Sequence, residues 1–180
     1  MWVEKIAAYL RPDPTVDWPS HSRIAVEIDL GAMTFNHIPI GADAGILRVF
    51  GRPENPKPFF RETFSYYKSG FQARCRAGRV ESFEVFLDPS ILPHCRFDPA
   101  SVTIGIPDVG TADLPSQAVR HNIIQLLGEP SHVRTIEEAV LLQYALGKQC
   151  LEFLCASDGK LHLIRFARNQ TGCTENDSQR

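Results

Sequence analysis

Catalysis and metal binding need reactive side chains at short, characteristic spacings, and the histidines of this 180-residue chain keep none. His21, His37, His94, His121, His132 and His162 include no pair at the i, i+4 spacing that brings two imidazoles to one helix face around zinc. His94 and Cys95 are neighbours, and neighbours in a strand or loop point apart, which makes a poor chelate. No metal and no cofactor is expected. Cys75 lies between Arg74 and Arg76, whose charges would activate the thiol if it faced them. Strand alternation instead puts both arginines on one face and the thiol on the other. Ser69-Gly70 and Ser157-Asp158-Gly159 read as hairpin turns, not as the strained G-x-S-x-G elbow of a serine hydrolase. Gly105, Gly110 and Gly128 lack the spacing and the following Lys-Ser/Thr of a phosphate loop. Glu81 and Glu84 face opposite sides of a strand, and with Glu137-Glu138 they read as solvated carboxylates. No catalytic residue is expected.

Surface chemistry is what remains. Arg74, Arg76 and Arg79 project from one hairpin, where Arg61 or Lys68 could join them, and the nearby aromatics Phe59-Phe60 and Tyr66-Tyr67 cannot all face inward. Arginine and tyrosine are favoured at binding hot spots, because a planar fork or a rigid ring buries area at small entropic cost. The expectation is a sheet face that docks another protein, with an acidic surface as its complement. Arg74, Arg76, Arg79, Tyr66, Phe59 and Phe60 are the expected contact residues. The connector 53–60 is a second candidate, since its prolines restrict the Phe59-Phe60 tip. The alternative is an enzyme or small-ligand binder using a cleft between the two halves, near His94, Cys95 and Asp98. A third class, self-association through an open sheet edge, keeps monomer and homodimer both open.

Composition narrows the partners. The formal net charge is -2 with both signs interspersed, so no basic stripe is available to neutralise phosphates and nucleic acid is not expected. Residues 1–10 carry Glu4 within a short apolar run, unlike a signal peptide, and no stretch approaches the roughly 20 apolar residues of a membrane helix. A cytoplasmic protein without membrane contact is expected. The five cysteines are odd in number and include no C-x-x-C, which suits reduced thiols packed as small hydrophobes.

These side chains must be held by an α+β scaffold. Residues 1–20 read as a short amphipathic helix and a proline-rich linker carrying Trp18. Residues 21–90 read as a leading hairpin (strand 24–30, turn Gly31-Ala32, return strand 33–40) and then an αβββ unit. Asp43 is placed to cap its helix, Ile46, Val49 and Phe50 to face inward, and Gly51 with Pro53 to stop it. Three meander strands follow at 61–68, 71–76 and 79–87, joined by Ser69-Gly70 and Ala77-Gly78. Phe83, Val85 and Leu87 share one face of the last strand, Ser82 and Glu84 the other. Residues 91–100 form a connector, 101–167 a second αβββ unit and 168–180 a flexible tail. The second unit takes strand 102–106, a helix capped by Ser116 with Val119, Ile123, Leu126 and Leu127 inward, and strands 139–145, 149–155 and 161–167.

The two units echo each other. Gly128-Glu129-Pro130 follows Gly51-Arg52-Pro53 by 77 positions, each ending an apolar helical run. The same offset sets Phe64 on Leu141, Tyr67 on Tyr144 and Gly70 on Gly147. In the last strand the offset becomes 81, setting Val80 on Leu161, Phe83 on Ile164 and Val85 on Phe166. Duplication is the preferred reading, with meanders in one curved antiparallel sheet (or two abutting ones) and the helices on one face. Two unrelated helix-plus-meander segments are the alternative.

A short helix closed by L/F-G-x-P, then three strands with a glycine in each tight turn, resembles the repeat unit of the beta-lactamase-inhibitor-protein and BamE/SmpA group. Phe35-Asn36-His37-Ile38-Pro39-Ile40 is similar to the F-N-G-x-P-I opening of small uncharacterised bacterial immunity-like domains. The resemblance covers residues 24–87 and, more loosely, 101–167. It implies a sheet surface for binding protein without catalysis, and it transfers no individual binding residue.

Overall fold

Alternating β-branched and polar residues set the first strand, β1 (Val26–Asp29), which pairs with β2 (Thr34–Phe35) and through it with β3 (Ile38–Pro39). The return strand expected over 33–40 is broken in two. Asn36 and His37 both take positive φ, 44° and 65°, the geometry of a primed two-residue turn. The computed structural model describes residues 12–20, 22–88, 97–115 and 117–169. The expected N-terminal helix, the Ser116 cap, His94, Cys95 and the tail beyond Asn169 lie outside the described residues.

Asp43 caps the next helix, its carboxylate accepting from the Gly45 amide at 2.8 Å, and Gly51 closes it at φ 76°. The helix itself, Ala44–Phe50, is 3₁₀. Three residues per turn bury Ala44, Leu47 and Phe50, so Ile46 and Val49 are exposed and only Phe50 of the expected inward stripe faces the core. In the connector 53–60, Pro58 starts a single helical turn, α1 (Pro58–Arg61). The meander β4 (Thr63–Tyr66), β5 (Phe71–Arg76), β6 (Arg79–Phe86) follows. β4 is shorter than expected because Tyr67–Ser69 form a 3₁₀ turn that Gly70 closes at φ 74°. A Cβ at Gly70 would meet the Ala100 amide nitrogen at 2.7 Å, so the approaching connector requires glycine there.

The second half runs β7 (Val102–Ile106), β8 (Gly110–Leu114), α2 (Arg120–Leu127), β9 (His132–Ile136), β10 (Ala139–Leu146), β11 (Gln149–Cys155), β12 (Leu161–Arg168). β8 and β9 were not expected. α2 begins later than expected because the chain before it pairs with β12's approach: Val119 bridges Lys160, and the Leu161 amide donates to the Ala118 carbonyl at 2.8 Å. Val119 is therefore exposed, while Ile123 is buried as expected.

The class is α+β, with strands outweighing helices and mostly antiparallel pairing. Both meanders share one antiparallel sheet, and β1–β3 with β7 and β8 form a second sheet. One has the order β3-β2-β1-β7-β8, and its β1–β7 pair is parallel; the other has the order β4-β5-β6-β12-β11-β10-β9 and is antiparallel throughout. The core lies between them. Phe35 of β2 stacks on Phe83 of β6 with centroids 4.1 Å apart, and Phe50 of the 3₁₀ helix meets both edge-on.

The proline-rich strap ends on this core. Trp18 stacks on Phe64 at 6.0 Å and meets Phe59 edge-on at 5.9 Å. Asp13 ties the strap down: its carboxylate accepts from the Thr15 hydroxyl at 2.7 Å, the Thr15 amide at 2.9 Å and the Lys57 amide at 3.1 Å. Burial raises the Asp13 pKa, but these hydrogen bonds outweigh it and the net shift is downward. A depressed folded pKa means stability that is complete above the unfolded value and lost as pH falls through the folded one. Asp13→Ala is expected to cost about 1 kcal/mol at neutral pH. Urea denaturation should show that gap narrowing as pH drops below the ordinary carboxylate range of about 4.

Candidate functional site

Alternation along the seven-stranded sheet sends apolar residues to the core and leaves a polar row on the outward face. The strand registers place Gln72, Glu84, Arg165, Glu152, Gln143 and His132 opposite one another in sequence from β5 to β9. Side chains this close pair. Gln72 donates to Glu84 at 2.5 Å, and Arg74 Nε meets Glu84 Oε1 at 2.9 Å. Arg165 reaches Glu84 at 3.9 Å and Glu152 at 3.3 Å, and Gln143 donates to Glu152 at 3.3 Å. The adjacent row holds small residues, Ser82, Ala167 and Cys150, all buried beneath the longer chains beside them. Glu84, expected to be solvated, is buried for that reason, its side chain 11% exposed. The row is legible only once the register is known, because its members come from six strands.

Toward β9 the row opens into a groove of about 290 Å³, lined by His132, Arg134, Gln143, Glu152, Arg165 and Arg168 among others. Three guanidinium groups face one carboxylate there. Arg165 is the one tied to Glu152; Arg134 and Arg168 are exposed and carry no ion pair among the described residues. Positive charge held beside low-dielectric walls attracts anionic groups.

The six expected contact residues do not form one patch. Arg74 and Arg76 do project outward from β5, Arg74 paired with Glu84 and Arg76 at 3.9 Å from Glu81. Arg79, at the turn, donates to the Gly41 carbonyl at 3.0 Å. Phe59 and Phe60 sit on α1, where Phe59 packs edge-on against core residue Phe64 at 4.9 Å. Tyr66 is in the core, its hydroxyl donating to the Leu47 carbonyl at 3.2 Å, so it is not a surface contact. Its own strand parity, shared with Phe64, puts it inside and Tyr67 out. His132, Arg134 and Arg168, which line the groove, were missed because β9 has no buried face to betray it and Arg168 was assigned to the tail.

Cys75, Cys150 and Cys155 are free thiols buried in strands. Burial pushes Cys75 up to about 12 and Cys155 up to about 11, and raises Cys150 as well. Neutral, enclosed thiols react slowly. Alkylation of the native protein, mapped by mass spectrometry, is expected to leave these three unmodified until denaturant is added.

Between the halves the described residues show continuous structure: β6 and β12 pair over five positions, and one hydrophobic cluster spans both. Asp98 belongs to the connector, its amide donating to the Tyr67 carbonyl at 2.8 Å. Among the described residues no group of three or more His, Cys, Asp or Glu could hold a metal ion, and no helix is long and apolar enough to cross a membrane.

No family model matches this chain, and no curated protein does. A DUF4309 family protein (YjgB) from Bacillus subtilis superposes at a TM-score of 0.45 with 14% identity, over 69% of this chain and 76% of that one. That likeness is too slight to assign a fold or a function from.

Proposed function

We propose that this chain is a non-enzymatic, cytoplasmic protein-binding module of the immunity or inhibitor kind that docks an acidic partner on the outward face of its seven-stranded sheet. The observation that carries this reading is the groove beside the polar row, where Arg134 and Arg168 stand without acidic partners among the described residues. Arg165, locked between Glu84 and Glu152, gives the groove a floor that need not reorganise on binding. The resemblance to the beta-lactamase-inhibitor-protein and BamE/SmpA group points the same way, toward a sheet surface that binds protein. Burial of their thiols speaks against catalysis by Cys75, Cys150 or Cys155.

The same proposal includes duplication. Its support is the strand order, in which β2-β1 is mirrored by β7-β8 and β4-β5-β6 by β12-β11-β10, with β3 and β9 left unmatched at the edges. Gly51 and Gly128 close their helices at φ 76°, ψ -164° and φ 79°, ψ -167°. Tyr144 donates to the Gly128 carbonyl at the end of the preceding helix at 3.0 Å, and Tyr66 donates into its own preceding helix, to the Leu47 carbonyl at 3.2 Å with the Gly51 carbonyl at 3.5 Å. These hydrogen bonds favour Tyr66 over Tyr67 as the counterpart of Tyr144. Tyr66→Phe and Tyr144→Phe are each expected to cost about 1 kcal/mol in chemical denaturation; a loss at one site only would weigh against equivalent roles.

The test of docking is co-expression with the product of the adjacent gene. A stoichiometric complex with the wild type, weakened at least about tenfold by R134E/R168E, is expected. A complex indifferent to the double charge reversal would overturn the groove as its site, and no complex at all would count against the immunity reading.

A further inference from the structure

The two edges of the seven-stranded sheet are treated differently. At β4 the edge is closed by the chain itself. Asn55 donates through its side-chain amide to the Thr63 carbonyl at 2.7 Å and accepts from the Ser65 amide at 2.7 Å, and the Glu54 amide donates to the Ser65 carbonyl at 2.8 Å. At β9 nothing among the described residues does this. All five residues from His132 to Ile136 are exposed, Val133 at 51% and Ile136 at 41%.

Hairpin geometry says which groups are unused. The two-residue turn Glu137-Glu138 makes Ile136 and Ala139 a mutually bonded pair, and alternation carries that pattern to Arg134–Leu141 and His132–Gln143. The N–H and C=O groups of Val133 and Thr135 therefore point away from the sheet, ready to pair with another strand. The side chains opposite Leu141 and Gln143, Arg134 and His132, lie on the outward face and line the groove.

Charge selects the occupant. In the antiparallel self-pairing that uses all five residues, Arg134 would stand directly opposite Arg134 of a second copy. Like charges in that position are destabilising. An acidic strand would instead set a carboxylate against Arg134, next to Arg165 and Arg168. Resting on the docking reading above, we infer that β9 takes an extended acidic segment of the partner as an added edge strand, paired to Val133 and Thr135 through backbone hydrogen bonds.

The test uses the isotopically labelled full chain with a short synthetic peptide alternating glutamate and valine, and its lysine counterpart. The glutamate peptide is expected to slow amide exchange at Val133 and Thr135 by about tenfold or more, and the lysine peptide to leave it unchanged. Thr135→Pro removes one outward N–H at a position where an edge strand tolerates proline, and should abolish the protection. Arg134→Glu should transfer the preference to the lysine peptide. Chemical-shift changes at Gln143, Glu152 and Arg165 without protection at Val133 and Thr135 would overturn this inference and leave docking on the sheet face standing. No change anywhere on the sheet would overturn both. Protection that grows with protein concentration in the absence of peptide, with a dimer in sedimentation, would make a second copy the occupant and overturn the acidic-strand assignment.

Discussion

Phe83→Ala is expected to lower the unfolding free energy by about 3–5 kcal/mol, the largest loss of any single substitution considered for this protein. Phe83 is fully buried at the middle of the core, stacked on Phe35 from the opposite sheet at 4.1 Å and met edge-on by Phe50 from the 3₁₀ helix at 6.5 Å. Truncation removes the contact that joins three separately formed elements, and the rigid surroundings can only partly collapse into the space. Guanidinium denaturation should show a lower midpoint with an unchanged slope, since the surface exposed on unfolding stays nearly the same. A loss below about 1 kcal/mol would mean that the sheets do not meet at this residue.

Glu84→Ala comes next. Glu84 accepts from Gln72 and pairs with Arg74 and Arg165. Its loss leaves Gln72 without that acceptor and Arg165 with Glu152 alone. Arg74 is half exposed, so water replaces much of its share. The expected cost is about 2 kcal/mol, with Glu84→Gln falling nearer 1 because a hydrogen-bond acceptor survives. The substitution also loosens the floor of the groove, so binding of an acidic partner should weaken even though Arg134 and Arg168 are untouched. Equal stabilities for Glu84→Ala and the wild type would show that the row is a solvated decoration.

What the sequence disclosed follows from how local each feature is. Asp43 and Gly51 act within one turn of backbone, and both do what their chemistry implies. The inward stripe of that helix is not legible in the sequence, because a period of 3.6 points to Ile46 and Val49 whereas the chain takes 3.0 and buries Ala44 and Leu47. β5, β6, β10 and β11 announce themselves by alternation against glycine-bearing turns. β8 and β9 do not, because few or none of their side chains are buried. The parallel β1–β7 pair joins residues far apart in the chain, and no local signal encodes it. The site suffered most. Arg74 and Arg76 were placed on the correct face by alternation alone, yet the groove depends on a register linking β5, β6, β12, β11, β10 and β9. Tyr66 shows how much one position matters: it reads as surface beside Tyr67, whereas it shares the inward parity of Phe64 and its hydroxyl donates to the Leu47 carbonyl inside the core.

The most direct measurement of the central claim is the dissociation constant of the complex with the adjacent gene's product, taken across a salt series for the wild type and R134E/R168E. Docking of an acidic surface onto the outward face predicts affinity that falls as salt rises, with both the affinity and its salt dependence largely lost in the double variant. A dissociation constant that ignores salt, or one that is the same for both proteins, would contradict it.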